Sequence, residues 1–245
     1  HQSSLVRYVL AANTTLSPEL ARTLAGDQEY AVRAALAANS FVSGATSKDE
    51  ADRKAFGQIL GDLAKDENEI VRQALVTNST CSEAVFSGLS RDECSLVLKA
   101  LAANPSVSED TLLQLAQYPD LGVKQQILLR RAPLSDALLL RLVEDADSLL
   151  KMNLAQSVRA SANLLENLAD DKDCMVRAIA AAHNKMPEAS LSALAEDKSA
   201  LVRASVAGNA SCPAEVLEKL SQDGEDRVKI ALARNTKCPA TLLEK

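Results

Sequence analysis

Val202–Arg227 reads VRASVAGNASCPAEVLEKLSQDGEDR, and the same pattern recurs along the chain. Its opening valine has counterparts at Val6, Val32, Val71, Val97, Val123, Leu150, Val176 and Val228. The interval is 26 residues, except for 27 between Val123 and Leu150 and 39 between Val32 and Val71. A fixed period of this length marks an array of stacked repeats, each too small to bury its own apolar face.

Slots counted from the anchor valine have recurring chemistry. The next residue is basic in most copies (Arg7, Arg33, Arg72, Lys124, Lys151, Arg177, Arg203, Lys229). Four residues past the anchor the side chain is apolar, as at Leu36, Leu75, Leu101 and Val206, so the pair shares one helix face. Seven past it stands Asn13, Asn39, Asn78, Asn104, Asn209 or Asn235. Asparagine tolerates the left-handed backbone that ends helices, so this slot reads as a stop. Four residues further comes a helix start: Ser17, Ser43, Ser82, Ser108 and Ser161, or Pro187, Pro213 and Pro239. The second helix has its own apolar pair, such as Leu217 with Leu220. An aspartate follows five residues before the next anchor, with Tyr118 as the exception. Alanine-rich segments such as VRAALAAN have helical spacing and poor strand propensity, which removes a β-stranded leucine-rich horseshoe.

The D-x-x-x-x-V-[RK] pattern resembles the HEAT-repeat signature. The fuller pattern, V-R-x-x-[AVL]-A-x-N, then Ser or Pro, an apolar pair and Asp, resembles the bacterial leucine-rich repeat variant family over essentially the whole chain. The resemblance implies an all-α, right-handed α-solenoid of about nine two-helix repeats, with some short helices of 3₁₀ type. It also implies that the Asp and Arg slots form a ladder, aspartate accepting turn N–H groups while the basic residue bridges to it. Some members of that family carry a cysteine cluster for an iron–sulfur centre before the array; this chain has none, so no cofactor is expected.

Hydrophobic residues make up 47% of the chain and aromatics 2%, with no tryptophan. Such a core suits close helix stacking more than a wide ligand cavity. The unbroken repeat argues for one elongated domain over 1–245, and the absence of a polar cap at either end leads us to expect a fragment of a longer array, or else ends covered by partner chains. A net charge of −6 weighs against a general polyanion binder. No apolar run approaches the roughly 20 residues of a membrane span. Of the five cysteines, Cys81, Cys212 and Cys238 share one slot with Leu16, Val42, Val107 and Met186, as small core residues would. Neither they nor Cys94 and Cys174 have the spacing of a metal site. Unpaired thiols fit a reducing cytoplasm.

In a repeat array the repeated residues read as structural, so function is sought where the pattern breaks. The 39-residue interval holds a polar insertion, GATSKDEADRK, at 44–54, including Lys48 and Arg53. It reads as a tolerated loop, an extended helix start, or a projecting recognition loop. In the second break Arg130 takes the asparagine slot and Arg131 follows, with Lys124, Arg141, Lys151 and Arg159 near in sequence. If first helices line one surface, Lys124, Lys151 and Arg177 project together and make a basic patch for an acidic peptide, protein or phosphate group. No aromatics are interleaved for bases to stack on. His183, in another asparagine slot, reads as a helix terminator.

No phosphate-loop, nucleophile-elbow, zincin or EF-hand motif occurs, so no catalytic residue or metal ligand is expected. The expectation is a non-catalytic scaffold binding a protein or peptide, with Lys124, Arg130, Arg131, Arg141, Lys151, Arg159, Lys48 and Arg53 as contact residues. DNA binding through the central arginines is the alternative.

Overall fold

The computed structural model describes residues 2–43, 49–78 and 80–243. Every regular element among them is helical. The chain forms two compact units, His1–Ala132 and Pro133–Lys245. The first runs α1 (Ser4–Ala11), α2 (Pro18–Ala25), α3 (Tyr30–Ala38), a 3₁₀ turn (Ser40–Ser43), α4 (Glu50–Leu63), α5 (Glu69–Thr77), α6 (Glu83–Leu89), α7 (Ser95–Ala103), α8 (Glu109–Ala116) and α9 (Leu121–Leu129). The second runs α10 (Asp136–Glu144), α11 (Ser148–Gln156), α12 (Ala162–Ala169), α13 (Cys174–Ala182), α14 (Glu188–Leu194), α15 (Ala200–Gly208), α16 (Ala214–Leu220), α17 (Asp226–Arg234) and α18 (Ala240–Leu243).

Within each unit the anchor-bearing helices stack on one another: α1, α3, α5, α7 and α9 in the first, α11, α13, α15 and α17 in the second. The second helices form the other layer. Each unit is thus built of paired helices in the manner of a right-handed α-solenoid. Eight anchors are buried, most of them completely; Val6 in α1 is 39% exposed. Each buried leucine side chain contributes about 1.5–3 kcal/mol, so these stripes dominate stability. Serines start second helices as expected: the Oγ atoms of Ser17, Ser108 and Ser161 accept from the N–H groups of Leu20, Thr111 and Leu164. Ser43 stands apart: its backbone closes the 3₁₀ turn, and α4 begins later, where Asp49 caps it.

The asparagine slot overturns one expectation. Asn39 has φ −75° and ψ 103°, and Asn209 has φ −74° and ψ 124°, so both are extended and not left-handed. Their work is done by the side chain. Asn209 Nδ2 donates to the carbonyls of Ala181 and His183 in the preceding repeat at 2.7 and 3.0 Å. Its Oδ1 accepts from the N–H of Ser211 at 2.8 Å. Asn39, Asn78 and Asn235 repeat both halves of this arrangement. A helix end that would leave carbonyls unpaired in the interior is satisfied by the neighbouring repeat's amide.

The aspartate ladder has the geometry the resemblance implies. Arg177 donates from Nε and Nη2 to Asp197 Oδ2 and Oδ1 at 2.7 and 2.9 Å, and from Nη1 to the carbonyl of Asp171 at 2.8 Å. Asp197 Oδ1 also accepts from the N–H of Ser199. One guanidinium therefore ties the turn before its own helix to the equivalent turn of the next repeat. Arg33 with Asp66, Arg72 with Asp92, and Arg203 with Asp223 do the same. At the rung where Tyr118 replaces aspartate, Leu98 replaces the basic residue, so both charges leave together.

Candidate functional site

The central cations are the first candidates. Lys124 and Arg177 are only 5% and 6% exposed, so they do not project as sequence spacing suggested. The slot after a buried anchor lies along the turn, where a long side chain runs toward the next rung. Lys151 donates to Asp171 at 2.7 Å and stands in the ladder. Arg130 takes over the donor half of the asparagine's role as well as its position. Its Nη1 donates to the carbonyls of Ala102 and Asn104, and its Nη2 to those of Pro105 and Val107. Burial pulls its guanidinium below the ordinary arginine value. Arg141 pairs with Glu144 one turn away on α10. Arg131 and Arg159 are exposed. Arg131 lies with Leu129 and Arg130 around an open hollow of about 290 Å³.

Lys48 lies outside the described residues. Arg53 is exposed in the first turn of α4, which Asp49 caps through the N–H of Ala51. The described end of the insertion thus lengthens a second helix, and α4 reaches 14 residues. His183 again replaces the asparagine, with Nδ1 accepting from the N–H of Lys185. Nearby, Lys185 Nζ donates to the carbonyls of Val158 and Ala160, which lie one and three residues past the pair an asparagine amide takes at this slot.

The hollow of about 810 Å³ beside α12, α13 and α14 is lined by Asp171, Arg177 and Asp197, whose polar atoms are already engaged in rungs. Burial pushes the Cys81 and Cys212 thiols up to about 12 and 11, making them poor nucleophiles. No group of His, Cys, Asp or Glu arranged to hold a metal ion occurs among the described residues. No helix among them is long and apolar enough to cross a membrane.

What remains open is the outer face of the first helices. In the first unit Leu96 and Leu129 are 58% and 72% exposed there, and in the second Leu149 and Met175 are 60% and 46% exposed. The second helices instead present carboxylates outward, Glu19 and Glu109 in one unit, Glu166 and Glu188 in the other. Within each unit the two layers differ in chemistry.

The repeated helix pairs make this chain a helical-repeat protein. No protein-family model and no curated protein matches the sequence. Among solved structures it is similar to a leucine-rich repeat variant described as having a novel repetitive protein structural motif. That likeness has 21% identity, covers 85% of this chain and 87% of the other, and has a TM-score of 0.49.

Proposed function

We propose that the chain is a non-catalytic scaffold that binds another protein or a peptide through the exposed surface of its stacked helices. The observation carrying this reading is a division of labour. The repeated polar groups are engaged in holding repeats together, while large apolar side chains stay exposed on the first helices. Stacked helices hold such side chains in fixed positions, which lowers the ordering cost of association. Of the cations read from sequence, Arg53, Arg131 and Arg159, with Lys48, enter as direct contacts to an acidic partner. Lys124, Arg130, Arg141 and Lys151 enter by fixing the surface around them. Undisulfided cysteines suit a reducing cytoplasm.

The test is affinity capture with the full-length chain from its source cell, followed by binding of the purified partner. A direct protein complex is expected, together with no duplex DNA binding at ~50 mM salt. DNA binding that weakens steeply as salt rises, with no protein captured, would replace this reading by the nucleic-acid one.

A further inference from the structure

The outer face of the first helices is defined by four slots: one residue before the anchor, then two, three and six after it. In none of the nine copies does any of these slots hold Asp or Glu, although the chain has 33 of them. In the second unit the face carries a row of large apolar residues, Leu149, Met175 and Leu201, one on each of the stacked helices α11, α13 and α15. The first two are well exposed and Leu201 is half-buried.

The row ends at a trough of about 620 Å³ between α15 and α17. Its floor is made of small residues, Ala204, Ser205, Gly208 and Ala231, with Leu201 and Ile230 as walls. Small side chains let another backbone approach closely. Arg227 and Arg234 line the α17 side. Both are exposed, and neither has an ion-pair partner among the described residues. They are seven residues apart on one helix, so their backbones are separated by about 10.5 Å along its axis. A floor without carboxylates beside two unpartnered cations is complementary to a ligand that is apolar on one side and anionic at two points.

We propose that this trough binds a short amphipathic helix of another protein, lying along α15 and α17 with its apolar face on the small-residue floor and two carboxylates two turns apart meeting Arg227 and Arg234. The i, i+3, i+4, i+7 anchors of such a helix match a trough running along two parallel ridges. The proposal rests on the scaffold reading above and adds where the partner docks and what it looks like.

The probe is a display library of short helix-forming peptides, randomised on one face and panned on the full chain. Enriched peptides are expected to carry aliphatic residues at helical spacing and Asp or Glu at two positions seven apart. Arg227→Glu with Arg234→Glu should weaken those peptides about tenfold or more and select Lys or Arg at the same positions. Gly208→Phe should also abolish binding. A Cβ there would lie 4.0 Å from that of Ala231, an ordinary contact, so this variant fills the trough while keeping helical content and Tm. Enriched peptides indifferent to both changes would remove this surface and leave the scaffold reading standing. A library that enriches no helical peptide also removes it. Phosphatidylglycerol vesicles or a DNA duplex held by the unaltered chain and released by the charge reversal would assign the trough to another ligand class and overturn the proposal.

Discussion

Asn78 is completely buried, and its amide donates to the carbonyls of Ala37 and Asn39 at 3.1 Å each. Replacing it by alanine takes the amide from the Ala37 carbonyl and from the Asn39 carbonyl, which keeps only the Val42 N–H, and we expect a loss of ~1–3 kcal/mol in urea unfolding. Asn13 is exposed, and its side chain accepts from the N–H and hydroxyl of Thr15 alone among the described residues, so Asn13→Ala should stay within about 0.5 kcal/mol. Equal losses at the two sites would contradict the interlocking role. Arg130 offers a sharper comparison, since it reaches the carbonyls 28 and 26 residues back, as Asn39 does. Arg130→Asn should retain ~1 kcal/mol more stability than Arg130→Ala, measured the same way. Sequence placed these asparagines at helix ends correctly and misassigned their conformation. The clue was present: a left-handed stop favours glycine, whereas this slot keeps a side chain that can donate, even when it changes to arginine.

The aspartate rungs operate between elements, and their electrostatics give a pH dependence. Hydrogen bonds from Arg7, Arg177 and Arg203 hold Asp27, Asp197 and Asp223 below the usual carboxylate range. At Asp66 and Asp171 burial pushes upward most strongly, yet bonds from the cation and the turn N–H together outweigh it. Each carboxyl binds its proton less readily in the folded state. Between the folded and unfolded values the unfolded chain therefore holds more protons, and stability rises with pH. Their contribution is complete above about pH 5 and lost as the carboxyls protonate below ~pH 4, so thermal melts followed by circular dichroism should be flat from pH 5 to 7 and fall steeply below pH 4. A Tm unchanged at pH 3 would show that the rungs contribute nothing measurable. The Asp and Arg slots were legible because charge recurs at a fixed offset, and their pairing as a ladder was what the HEAT-like resemblance implied. The length of α4 was less so, since GATSKDEADRK lacks apolar periodicity and only Phe56, Ile59, Leu60 and Leu63 reveal a buried stripe.

At the scale of the molecule the period is the unit of construction. Deleting residues 174–199 removes one whole period, joins Asp173 to Ala200, and leaves Lys151–Asp171 and Arg203–Asp223 with their partners. The shortened chain should remain helical and unfold cooperatively, whereas deleting only residues 174–186 should abolish cooperative unfolding, because α13 is lost while its partner helix remains. The array itself was legible, since a buried stripe every 26 residues has few other solutions. The outer face was not. Leu149 and Met175 look in sequence like further core residues, and the signal separating them is an absence of carboxylates visible only once the slots are known to share a surface. The asparagine rungs carry one more consequence. Among the described residues they grip a neighbour's peptide carbonyls and none of its side chains, so this joint is indifferent to what the neighbour displays. A module whose aspartate rung is matched can then be duplicated, shuffled or re-decorated with a new ligand preference while these amide couplings stay intact, and recognition can drift without the architecture having to follow.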